Sequence, residues 1–329
     1  MNKSIVKSIL FLALCNGFIQ DVLGQSNTFP QNFSCICDPQ DKYDPKPKMP
    51  AGLFKGRCIN SCQQRSVTLL SSNLNYLTIA NFSHNNKFWI AQIPLQGVDA
   101  VIYQTEEFEF LQSCPACHSQ LRFRFKPDKP VILTPQVGEF EEVKLTDIVY
   151  SIEATGVPGM NFDPFTALLD FYGLSYRFVS LQDRAERMIK IDNHIVKQLQ
   201  LNLNQTDRAK LLSQAVLQSN QLAMKQMYSL YNRNCTTELF QLLDRVVSKK
   251  IPNRTNAFIN IPTGSFISDL IRQAQFDLAK YLANTNSEDL KKINQLLKQV
   301  KQPKDALQER GLLDRDSELP TLNQELVNL

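Results

Sequence analysis

The stretch Asn234-Cys235-Thr236-Thr237 opens an apolar, helix-period stripe that continues through "ELFQLLDRVV" to Val247. A cysteine in the first turn of a helix sits where backbone N–H groups lack intrahelical partners and the helix dipole is positive. A thiolate is stabilised there, so its pKa falls and its nucleophilicity at neutral pH rises. Asn234 is a good N-cap. The same free N–H groups, with the hydroxyls of Thr236 and Thr237, suit the oxyanion of an acyl-transfer intermediate. Glu238 favours the helix start, although its charge opposes a thiolate.

A cysteine nucleophile needs a base, most often histidine. The chain has three histidines. His84 lies in the polar "NFSHNNKF", and His194 in "KIDNHIVKQL", a mixed stretch without a strand signal. His118 begins "HSQLRFRF", in which Leu121, Phe123 and Phe125 alternate with Arg122 and Arg124. That period of two reads as a strand with one face buried and the other wet or lining a site. A rigid element holds catalytic geometry better than a loop, so His118 is the base expected for Cys235. Against this stand the bland readings. A lone cysteine is usually a small buried hydrophobe, and a lone histidine usually a surface or hydrogen-bonded core residue.

The elements around these residues begin with an export signal. "MNKSIVKSILFLALCNGFIQDVLGQ" has Lys3 and Lys7, then an apolar run, then small-residue spacing for cleavage after Gly24. Leu14 is too bulky to precede a lipidated Cys15. No later stretch approaches the ~20 apolar residues of a spanning helix. The expected product is exported, to the periplasm or cell envelope. Of eight cysteines, removal of Cys15 leaves an odd number. The simplest arithmetic pairs Cys35, Cys37, Cys58, Cys62, Cys114 and Cys117 in disulfides of undetermined connectivity and leaves Cys235 as a free thiol. Cys114-Pro115-Ala116-Cys117 also admits a redox dithiol, or a metal site with His118. A structural disulfide is preferred, with no metal and no cofactor.

Residues 25–66 are rich in Pro, Asn, Asp and Cys and read as a stapled segment. Short strands are expected from about 67 to 155, among them "DAVIYQ", "FEFL", "SQLRFRF", "PVILTPQ" and "DIVYSIEA". Beyond about 156 the chain reads as mostly helical. It has a long amphipathic helix over "TDRAKLLSQAVLQSNQLAMKQMYSLY", capped by Asn204 or Thr206, and later helices over "SFISDLIRQAQFDLAKYLANT" and "SEDLKKINQLLKQV". The last twenty or so residues are polar and are expected to pack loosely. Strands and helices segregate, which gives an α+β class. The hydrophobic fraction of 43% and charged fraction of 21% are ordinary for a globular chain. A net charge of +4 is too small to argue for nucleic acid.

The blocks "MYSLYNRNCTTELFQLLDRV", "VYSIEATGVPGMNFDPFTALLDFYGLSYRFVSL", "KQLQLNLNQTDRAKLL" and "ACHSQLRFRF" resemble a bacterial exported family. It is named after the N-terminal periplasmic domain of the lipoprotein N-acyltransferase Lnb. The resemblance covers roughly Gly97 to Val247 and is most specific at "NCTT". It implies a permuted NlpC/P60-like, papain-like core with a small antiparallel sheet packed against helices. It also implies Cys235 as nucleophile, His118 as base and a third orienting residue, for which Glu153 in "YSIEATG" is the candidate. The domain organisation expected is a signal at 1–24, a cysteine-containing segment at 25–96, the thiol-enzyme domain at 97–250 and a helical extension at 251–329. The function implied is acyl transfer or hydrolysis on an envelope lipid, lipoprotein or cell-wall peptide, with peripheral membrane contact possible. The other class is a non-catalytic envelope binding or assembly module of the same fold.

Overall fold

The computed structural model describes residues 35–107, 118–139, 141–160, 162, 171–229, 233–247 and 303–327. All fall within one compact unit formed by Ser34–Phe258 with Gln302–Leu329. The elements in chain order are β1 (Thr68–Ser72), β2 (Tyr76–His84), β3 (Lys87–Pro94), β4 (Val98–Glu107), β5 (His118–Phe125), β6 (Val131–Pro135), β7 (Val143–Leu145), β8 (Asp147–Thr155) and β9 (Gly173–Ser180). Then come α1 (Leu181–Ala185), a π-helical turn (Glu186–Ile191), β10 (Ile195–Gln200), α2 (Gln205–Leu222), α3 (Cys235–Val246), α4 (Pro303–Glu309), β11 (Glu318–Leu319) and α5 (Leu322–Val327). The helices expected over 265–285 and 287–300, the strand "FEFL", the signal, Cys114 and Cys117 all lie outside the described residues.

The sheet is neither small nor wholly antiparallel. Eleven strands form one sheet in the order β11-β10-β4-β5-β8-β9-β2-β3-β6-β7, with β1 on β2. β2 and β9 pair in parallel, Ser83 opposite Val179. The α+β class holds. The difference in size has a physical source. "GLSYRFVS" alternates Leu174, Tyr176 and Phe178 with Ser175 and Arg177, so it forms β9 within a stretch expected to be helical. β10, which carries the weaker pattern "IVKQLQ", pairs along its length with β4.

At β5 both faces of the sheet are covered. On β5 the odd positions face α2 and α3: Ser119 bonds Thr236 of α3, and Leu121 sits opposite Tyr150, whose hydroxyl donates to Gln218 of α2. The even positions face the other way. Gln120 reaches the sulfur of Met188 in the π-helical turn, and Arg122 donates to both Glu325 oxygens of α5 at 2.8 Å. On this face, expected to be wet or to line a site, Arg122 is buried between Asp147 and Glu325 of the C-terminal segment, and Arg124 is partly exposed. That segment is not loosely packed. Leu307, Leu312 and Leu322 are buried, and Arg310 forks onto Asp244 at 2.6 and 2.9 Å.

Two expectations about ends also meet the structure. α2 is capped by Asn204, whose side chain accepts from the Asp207 N–H. It stops at Leu222, well short of Tyr231, with Met224 in the left-handed region (φ 51°). Beyond it the backbone is claimed by the sheet: Leu174 N–H donates to Gln226 O, and Tyr228 N–H to Tyr172 O. In the N-terminal segment the disulfides are Cys35–Cys58 and Cys37–Cys62. This segment packs on the start of β9, where a Cβ at Gly173 would stand 3.0 Å from Ile59 Cδ1 and 3.4 Å from Met49 Sδ, so Ile59 would have to shift to admit one.

Candidate active site

Cys235 is the first residue of α3, and Asn234 caps it as expected. The Asn234 side chain accepts from the Thr236 N–H at 3.0 Å and the Thr237 N–H at 2.9 Å. In return the Asn234 N–H donates to the Thr237 hydroxyl at 2.9 Å, closing a capping box. The N–H groups expected to serve an oxyanion are thus held by Asn234 in this state. Cys235 is 7% exposed and is the free cysteine among the described residues.

His118 is the first residue of β5, at the end of the sheet. The charge of Cys235 acts on its imidazole. Its Nε2 lies 2.8 Å from the Ser151 hydroxyl. That hydroxyl donates to Glu153 at 2.7 Å. A serine has one proton. With that proton given to the carboxylate, Ser151 accepts from His118 Nε2–H. The Glu153 oxygen is 3.6 Å from His118 Nε2, so the serine is the direct partner and the carboxylate stands behind it. Glu153 is in turn held by Arg184 of α1, 3.3 Å away.

The electrostatics shift both groups toward their charged forms. Burial works to raise the Cys235 pKa. The charge and hydrogen bond of His118, the Ser119 backbone N–H and the Thr236 hydroxyl outweigh it, and the thiol is more acidic than usual. Burial works to lower the His118 pKa, but Glu153 and Cys235 overcome it and raise the imidazole to about 9. Burial opposes ionisation of Glu153, yet His118, Arg184, Arg177 and Ser151 bring it down to about 2. Glu238, whose charge would oppose the thiolate, is buried under α3. Its carboxylate accepts from Gln218 at 2.8 Å and Tyr176 at 3.1 Å, and burial raises its pKa.

At the end of β5 the structure joins His118 to Ser151 and Glu153, and at the start of α3 it joins Asn234 to Thr236 and Thr237 around Cys235. Ser151 and Arg184 were not singled out from the sequence. Ser151 carried a usable signal: it lies two residues before Glu153 on a strand and so shares its face. Arg184 carried none, since α1 is a single short turn. One further group could hold a cation: ligand atoms of Glu106, Asp192 and His194 lie within 4.8 Å of one another. Arg184 is 3.5 Å from Glu106 and Arg187 is 2.8 Å from Asp192, so guanidiniums already balance both carboxylates and no ion is assigned there.

A capped cysteine at a helix start, a histidine entering a sheet strand and a hydroxyl–carboxylate pair behind it make up the candidate site of this α+β protein. The chain belongs to the family of the Lnb N-terminal periplasmic domain, whose model matches residues 85–273, a span holding Cys235, His118, Ser151, Glu153 and Arg184. No curated protein and no solved structure matches the chain. Among the described residues no helix is long and apolar enough to cross a membrane. The two disulfides fit an oxidising compartment.

Proposed function

We propose that this chain is an exported thiol enzyme that transfers or hydrolyses an acyl group of a cell-envelope ester or amide. The observation that supports this reading is His118 Nε2 at 2.8 Å from the Ser151 hydroxyl, which donates to Glu153, on an imidazole that the Cys235 charge also acts on. The order of His118 before Cys235 is that of a permuted papain-like enzyme.

In the proposed reaction the Cys235 thiolate attacks the carbonyl carbon and forms a C–S bond, and the carbonyl electrons move to oxygen. The helix start favours that oxyanion, which shares or displaces the N–H groups now held by Asn234. Collapse expels the alcohol or amine, which takes the proton from His118 Nδ1, and leaves a thioester. Water or an acceptor amine then gives a proton to His118 and attacks the thioester, which returns the thiolate. Ser151 keeps the imidazole in the Nε2–H tautomer throughout, and Glu153 stabilises its charged form. Substrates consistent with the envelope location are a phospholipid, a lipoprotein or a cell-wall peptide.

An acyl-directed activated ester, followed by peptide mapping, tests the reading. A thioester on Cys235 that disappears in Cys235→Ser and His118→Ala is the expected result. A folded protein that is never acylated at Cys235 would favour the binding or assembly module.

A further inference from the structure

Three buried side-chain atoms among the described residues lack a hydrogen-bond partner: Tyr103 Oη, Arg177 Nε and Gln205 Nε2. A buried tyrosine hydroxyl usually finds a partner, and an orphan polar group in a packed core needs a reason. Tyr103 is on β4, fully buried, and pairs with Leu121 of β5. Its ring packs against Phe240 of α3 at 5.8 Å between centroids, on the face where α3 presents Cys235. Its hydroxyl lies near the hydroxyls of Ser119 and Thr236 and within the field of the Cys235 sulfur, without a well-formed bond to any of them. Ser119 and Thr236 hydroxyl oxygens are 2.9 Å apart, and the Thr236 hydroxyl is 3.8 Å from the sulfur.

The geometry points to Tyr103 as a positioning residue that stabilises the Cys235 thiolate through the Ser119–Thr236 hydroxyl pair. This rests on the reading of Cys235 as an activated thiol. What decides the effect is the strength of the final acceptor. Tyr103, Ser119 and Thr236 each bring one O–H. Tyr103 can donate to Ser119, Ser119 to Thr236 and Thr236 to the sulfur. A neutral thiol sulfur is a weak acceptor, and a thiolate a strong one. A donor chain that ends on the sulfur therefore favours its charged state. The phenol remains a donor throughout, because burial, with the Cys235 charge adding to it, raises its pKa well above the usual range.

The test is the pH dependence of iodoacetamide alkylation at Cys235 in the full chain, with circular dichroism and thermal unfolding as controls. Tyr103→Phe removes one oxygen that has no well-formed bond, so it should fold and melt no lower than wild type. Its apparent thiol pKa should rise by about one pH unit, with alkylation about tenfold slower at pH values well below the wild-type pKa. Thr236→Val should raise the thiol pKa too, and the double variant should go no further than Thr236→Val alone. A profile superimposable on wild type would overturn the proposal, as would additive shifts in the double variant, or loss of fold in Tyr103→Phe, which would mark an ordinary structural bond. An unactivated thiol in wild type contradicts the proposed function itself. An activated wild-type thiol that Tyr103→Phe leaves unchanged contradicts this inference alone.

Discussion

His118 Nε2 lies 2.8 Å from the Ser151 hydroxyl and 3.6 Å from the nearest Glu153 oxygen, so serine and not carboxylate is the first partner of the imidazole. Ser151→Ala should therefore impair the site while Glu153 is still present. Loss of a hydrogen bond to a charged ring amounts to about 1.5–3 kcal/mol, or roughly ten- to a hundredfold in Cys235 acylation rate. A stopped-flow acylation assay on the folded variant measures it. An unchanged rate would mean that Glu153 alone orients the ring.

Glu153 sets the alkaline limit. It is the chief group raising the His118 pKa to about 9. In Glu153→Gln that pKa should fall back toward its usual 6.5, and the alkaline limb of the acylation profile should move down with it. The stability signs differ for the two groups. The Glu153 pKa is lowered on folding, so its contribution is complete above about 4.5 and is lost as pH falls through about 2. The His118 pKa is raised, so its contribution is complete below 6.5 and is lost as pH rises through about 9. Thermal melts of wild type and Glu153→Gln across about pH 3 to 10 should show the wild-type advantage shrinking toward both ends.

The cap separates geometry from charge. Asn234→Ala removes the acceptor for the Thr236 and Thr237 N–H groups and should cost about 1 kcal/mol of stability. Asn234→Asp keeps the cap but sets a carboxylate beside the sulfur, so the fold should hold while the Cys235 pKa rises. Melting temperature and alkylation rate should thus change in different variants. If both fall together in Asn234→Asp, the cap itself is disturbed.

The N-terminal staples should matter for stability and not for chemistry. Non-reducing peptide maps should find Cys35–Cys58, Cys37–Cys62 and an alkylated Cys235. Replacing one bridge by a serine pair should cost about 2–4 kcal/mol, with acylation per folded molecule kept. A bridge between Cys235 and any other cysteine would remove the nucleophile.

Local signals were the legible ones. The polar Asn-Cys-Thr-Thr run before an apolar stripe gave the helix start and its cap, and period-two alternation gave β5. What was not legible depends on distant partners. Arg122 lies on a face that reads as wet or lining a site, and Glu325, far along the chain, covers it. β9 and β10 lie in short stretches between helix-leaning segments and are fixed by pairing with β8 and β4. Arg184 reaches Glu153 from another element, and no spacing in the sequence reports a contact of that kind.

The central claim is that His118 activates Cys235. The measurement that tests it most directly is the rate of iodoacetamide alkylation at Cys235 against pH in wild type and in His118→Ala, with circular dichroism confirming both folds. The account predicts a thiol pKa below the usual value in wild type, and in His118→Ala a rise in that pKa with slower alkylation at neutral pH. Superimposable profiles in the two folded proteins would contradict it.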